Sequence, residues 1–223
     1  MSERPTRMPA ERRCAGRPNG SAVTRRALAG SIAAIGIVLS ASGCSVLAGL
    51  RPDPDTFDLN APDVVGAQPV RRGAQILVAE PAALKAIDSE NIVVEVSPFE
   101  IQYLGGAQWG DRLPRLVQRR LATAFDSADR FAGVGLPGQG LAIDYQIVSE
   151  IRQFGIDALA GAAEVTLEVK LLDDRTGNIV SDRTFSASMA VAPNSSNRAY
   201  IAALNAAFAE VAQEIVVWVT RRI

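Results

Sequence analysis

Glu164-Val165-Thr166-Leu167-Glu168-Val169-Lys170-Leu171 alternates polar and apolar side chains without a break. Successive side chains of an extended chain point to opposite faces. This period of two therefore sets Val165, Leu167, Val169 and Leu171 against a core and leaves Glu164, Thr166, Glu168 and Lys170 in water. The stretch predicts a strand in an antiparallel sheet with one covered face. Downstream, Asp173-Asp174-Arg175-Thr176-Gly177-Asn178 is rich in turn residues, and a further strand is expected from Ile179 to about Val191. Upstream, Leu141, Ile143, Tyr145 and Ile147 alternate with Ala142, Asp144 and Gln146. Three strands joined by short connections form a meander.

Helical spacing brackets this meander. Leu113, Leu116, Val117, Leu121, Ala124 and Phe125 recur at steps of three and four, with Pro114 acceptable in the first turn and Asp111 expected as the N-cap. Ile201, Leu204, Phe208, Val211, Ile215 and Trp218 mark a second helix that starts after Asn194-Ser195-Ser196. Ahead of the first helix, Ile76-Leu77-Val78-Ala79 reads as a strand closed by Pro81. Ile92–Glu95 and Glu100–Tyr103 flank Ser97-Pro98 and read as a hairpin or as two short strands. The order is strands, helix, three antiparallel strands, helix. It predicts an α+β two-layer sandwich, a mostly antiparallel sheet with two helices packed on one face. The folded domain is expected over residues 74–223.

The first 43 residues read as a removable leader with a long n-region. Arg25-Arg26 precede an apolar run from Ala27 to about Ala41, followed by small residues up to Cys44. The run is near 15 residues, short of the roughly 20 that span a bilayer. Leu39-Ser40-Ala41-Ser42-Gly43-Cys44 resembles a bacterial lipobox, with Ala41 where leucine is commonest. Cys44 is then the lipidation site, its thiol taking a diacylglyceryl group, and the attached acyl chains form a lasting membrane anchor. Ser45 follows the cysteine. An aspartate there usually retains a lipoprotein in the Gram-negative inner membrane, so its absence favours an outer-membrane, periplasm-facing position. Residues 44–73, with Pro52, Pro54, Pro62 and Pro69, read as a lipidated tether that could hold a short strand at Thr56 to Leu59.

Composition excludes much chemistry. The chain has 223 residues and no histidine, which removes imidazole-dependent triads and most zinc sites. After loss of the leader, 16 basic and 22 acidic side chains remain; a mildly acidic body does not suit nucleic acid. With Cys14 in the leader, no internal disulfide is expected. Gly133-Val134-Gly135-Leu136-Pro137-Gly138 matches a dinucleotide fingerprint by letters. A strand pattern follows it instead of a helix, so it reads as a loop. Asp173-Asp174 reads as turn chemistry. The reading is of a non-enzyme with no cofactor and no metal.

Tyr103, Trp109, Phe154 and Trp218 are read first as sheet-helix packing, with an apolar partner surface as the alternative. The alanine-rich last helix allows close approach of the sheet or, in a homo-oligomer, of a neighbouring copy. Tyr103-Leu104-Gly105-Gly106-Ala107-Gln108-Trp109-Gly110-Asp111-Arg112-Leu113-Pro114-Arg115-Leu116-Val117-Gln118 resembles the segment that leads into the first helix of the ABC-type transport auxiliary lipoproteins, the family of paraquat-inducible protein C. Ile76–Pro81, Ser149–Phe154 and Trp218 add to the resemblance. It implies a non-catalytic accessory subunit whose partners are an MCE-domain substrate-binding protein and an ABC permease and ATPase. Such systems move phospholipids or other apolar molecules across the envelope. The alternative is a structural or assembly lipoprotein of another outer-membrane complex.

Overall fold

The computed structural model describes residues 53–61 and 73–223. Nine strands and two helices follow in the order β1 (Asp55–Phe57), β2 (Gln75–Val78), β3 (Ala82–Ala83), β4 (Asn91–Ser97), β5 (Glu100–Trp109), α1 (Leu113–Ser127), β6 (Gly133–Gly135), β7 (Tyr145–Asp157), β8 (Ala162–Asp173), β9 (Ile179–Ala190) and α2 (Asn197–Arg222). They form one open mixed sheet with both helices on the same face, the α+β two-layer fold that the patterning predicts.

β7 is the organising strand. One edge pairs along its length with β8, which pairs in turn with β9, both antiparallel. The other edge is shared among short parallel partners: β2 along Tyr145–Ile147, β3 along Glu150–Ile151 and β4 along Gly155–Asp157. β5 joins β4 as an antiparallel hairpin, β1 adds beside β5, and β6 beside β2. The approach of β4 to β7 is close. A Cβ on Gly155 would lie 2.6 Å from the carbonyl oxygen of Val93, so only glycine fits there.

The core lies between the sheet and the helices. Val165, Leu167, Val169 and Leu171 of β8 have no solvent exposure. Ile147 and Ile151 of β7 share that face, together with Phe154 and Ile156. The change from odd to even positions comes at an irregularity between Ile151 and Gln153, where the β7–β8 register shifts. A bulge of this kind inserts a residue and turns the following side chains over. α2 is apolar and long enough by composition to cross a membrane. It instead buries Leu204, Phe208, Val211, Ile215 and Val219 on the sheet, and the Ser196 side chain caps it by accepting from the Ala199 N–H.

Three expectations are corrected. The helix after β5 begins with Arg112 at the N-cap and no side-chain cap bond; the Asp111 carboxylate accepts from the adjacent Arg112 N–H, 2.8 Å, too local to cap the turn, and lies 3.8 Å from the Arg115 guanidinium. The strand expected from Leu141 starts at Tyr145 and runs on to Asp157. Gly133–Gly135, read as loop, pairs with β2. The short strand allowed at Thr56 to Leu59 forms at Asp55–Phe57 beside β5, and Leu59 is buried.

Candidate functional site

The aromatic residues singled out in the sequence separate by face. Trp109, at the end of β5, is buried and meets the Phe154 ring edge-on at 6.0 Å between centroids. Phe154 in turn lies 6.1 Å from Phe208 of α2. Trp218 packs edge-on to Phe185 of β9 at 5.6 Å. Trp109, Phe154 and Trp218 therefore hold the sheet to its helices. Tyr103 stands apart, 48% exposed on β5. Cys44 lies outside the described residues.

The open face of the sheet is a lattice of opposite charges. The Arg152 guanidinium donates to Glu168 Oε2 from Nε at 3.1 Å and from Nη2 at 2.5 Å, and its Nη1 lies 2.9 Å from Glu150. Lys170 Nζ is 2.9 Å from Glu168 Oε1. The Arg152 hydrogen bond, with Lys170 beside it, lowers the Glu168 pKa. Glu95 is the opposite case. Burial raises its pKa, and the nearby charges of Asp157 and Glu164 add to the rise. Gln153 Nε2 donates to Glu164 at 2.7 Å and to Glu95 at 3.5 Å, and the bond to Glu95 offsets part of the rise. Each carboxylate has a structural partner, and among the described residues no group of three or more His, Cys, Asp or Glu could hold a metal ion.

Two cavities flank α2. A groove of about 710 Å3 runs beside its C-terminal half, where Arg183, Arg221 and Arg222 face Glu210 and Glu214 over Trp218. The second, about 230 Å3, is apolar and lined by Val94, Leu104, Ile156 and Tyr200 near the start of α2. Neither brings a nucleophile to a base.

The segment from Tyr103 to Gln118 is where four elements are tied together. Between the pairs Val93↔Tyr103 and Asn91↔Gln108 the register shifts, so β5 bulges outward. Gly106 sits there at φ +71°, a backbone region open to glycine at no steric cost. Asn197 Nδ2, in the first turn of α2, donates to the Gly105 carbonyl at 3.0 Å. Arg112 clamps the loop before β4, donating to Asp88 at 2.8 Å from Nε and lying 3.1 Å from Glu80. Gln118 is buried and donates to the last carbonyl of β2, that of Val78, at 3.0 Å. The sequence therefore looks specific here for architectural reasons. A buried glutamine and a double glycine carry the signal, and no reactive group does.

Residues 57–216 match the family described as ABC-type transport auxiliary lipoprotein component. The chain belongs to this family. Its members are described as auxiliary lipoprotein components of ABC-type transport. An uncharacterised protein of Bradyrhizobium diazoefficiens is 30% identical over 170 residues. The match spans 73% of this chain but only 44% of that relative's length. A protein of known crystal structure from Xanthomonas campestris superposes with a TM-score of 0.68 at 27% identity, covering 75% of this chain and 96% of its own. A second crystal structure, of an uncharacterised protein, shares the fold at a TM-score of 0.60 and 14% identity, covering 75% of this chain and 99% of its own.

Proposed function

We propose that the chain is lipidated on Cys44, held on the outer membrane facing the periplasm, and serves there as the accessory subunit of an MCE-type ABC transporter. The cargo on this reading is a phospholipid or another apolar molecule. The observation that carries it is the family match over residues 57–216 joined to the lipobox-like Leu39–Cys44. The charge lattice and the structural roles of the named aromatics support an adaptor without chemistry of its own.

Gene deletion with complementation tests the reading. Loss of the protein is expected to raise envelope permeability to apolar compounds. The intact gene should restore it, and Cys44→Ala, which removes the thiol and with it the anchor, should not. Full restoration by a soluble, unlipidated Cys44→Ala chain would contradict the anchor. An unchanged envelope in the deletion strain would contradict the transport role.

A further inference from the structure

β4 and β7 are parallel, with Val93 beside Gly155 and Glu95 beside Asp157. The turns that end them therefore leave the sheet at the same end. At the β4–β5 turn Phe99 is 92% exposed, and at the β7–β8 turn Leu159 is 70% exposed. Two large apolar side chains, sixty residues apart in sequence, thus sit on the turns that follow neighbouring strands at one end of the sheet. Neither contributes to the core. The backbone beneath Leu159 is held in shape, since the Asp157 carboxylate accepts from the Leu159 and Ala160 N–H groups at 2.8 Å each, and Ala158 N–H donates to the Glu95 carbonyl at 2.9 Å.

The chain reaches the sheet from this same end. β1 runs parallel to β5, with Asp55 beside Ala107 and Phe57 beside Trp109, and β5 starts at the Phe99 tip. β1 thus enters from the side of the tips, and Phe99 lies about 26 Å from Ala107 along β5 at the usual rise of a strand. The eleven steps from Asp55 to Cys44 reach up to about 36 Å. That length of chain exceeds the distance to the tips.

We propose that Phe99 and Leu159 form a second membrane contact, entering the interface of the bilayer that holds the Cys44 lipid. This inference rests on the lipidation of Cys44 proposed above. Exposed aromatic and aliphatic side chains on protruding turns suit the boundary between headgroups and acyl chains. The two tips, residues 95–104 and 155–164, contain no Lys or Arg but carry Glu95, Glu100, Asp157 and Glu164. The contact therefore favours zwitterionic lipid, and anionic lipid repels it. The contact would hold the sheet upright on the membrane, with the β8–β9 turn pointing away.

The test uses the full lipidated protein reconstituted into phosphatidylethanolamine–phosphatidylcholine vesicles. Phe99→Cys, Leu159→Cys and Asn178→Cys each carry an environment-sensitive fluorophore; acylation blocks Cys44, and Cys14 leaves with the leader. Asn178 lies in the exposed turn at the opposite end of the sheet. Iodide quenching is expected to be at least about threefold weaker at 99 and 159 than at 178, as for side chains partly sunk into an interface. Added phosphatidylglycerol should reduce this protection. Protein that floats with the vesicles while all three probes quench alike overturns the tip contact and leaves the anchor standing. Protein that stays off the vesicles overturns both. Protection that appears only when another protein is added also overturns the membrane contact.

Discussion

The two faces of β8 differ more than any two elements of the molecule. Val165, Leu167, Val169 and Leu171 are fully buried under α2, whereas Glu164, Glu168 and Lys170 join the charge lattice of the open face and Thr166 between them bonds Ser186. One face carries stability through apolar area, at roughly 25 cal/mol per Å2 removed from water. The other carries exposed ion pairs, which are individually worth little. The difference teaches that stability rests on one face of the sheet. What the core needs is fixed on the helix side, so the open face and the hairpin tips tolerate change that the covered face does not.

The largest effect should come from crossing that divide on a single strand. Trp109→Ala empties a buried site and is expected to cost about 3–5 kcal/mol, while Tyr103→Ala on the exposed side of β5 should stay within about 0.5 kcal/mol. Urea denaturation of the two variants measures both, and similar losses would break the contrast. Gly155→Ala comes next. Its Cβ would collide with the Val93 carbonyl in the β4–β7 seam, and overpacking of this kind costs about 1–3 kcal/mol; an unchanged melting temperature would show that the seam is looser than its geometry.

A smaller effect of opposite sign is expected at Ser149. This residue sits on the covered face of β7, buried, with a hydroxyl that meets no hydrogen-bond partner. Ser149→Ala should leave stability unchanged or raise it by up to about 1 kcal/mol, because an unsatisfied polar group leaves the core. A clear loss in denaturant titration would mean that the hydroxyl is bonded.

The smallest effects lie on the open face and are read as pH dependence. Glu168 has a lowered pKa; its contribution is present above the ordinary carboxylate pKa and is lost as pH falls through the lowered value. Glu95 has a raised pKa, so it costs stability at neutral pH, and that cost disappears on acidification through the raised value. Glu168→Gln should therefore flatten the acid limb of the stability curve. Glu95→Gln should stabilise at pH 7 with no difference well below the ordinary carboxylate range. Melting curves from pH 3 to pH 7 for both variants test the signs.

How much of this was legible in the sequence depended on local period. β8, β9, α1, α2 and the β4–β5 hairpin repeat at two or at three to four residues, so each showed itself without knowledge of its neighbours. β7 was read only in part, because the irregularity after Ile151 shifts its buried positions by one and breaks the alternation before Phe154. β3, β6 and the parallel pairings of β1, β2 and β4 are too short to hold a period, and their partners are distant in the chain. The aromatic residues posed a different problem. Composition marks Tyr103 and Trp109 alike, but only the bulge at Gly105–Gly106 and the packing against Phe154 decide which one is buried. Phe99 and Leu159 passed unnoticed, since a lone apolar residue in a turn gains meaning only when the topology sets two of them at one end.

The most direct measurement is affinity purification of the tagged, lipidated protein from its own membranes, with a Cys44→Ala control and mass spectrometry of what accompanies it. An MCE-domain protein and an ABC permease, both lost or much reduced in the control, are the expected partners. Recovery of the protein alone, or with unrelated envelope machinery, would contradict the transporter assignment and favour an assembly role on the same fold.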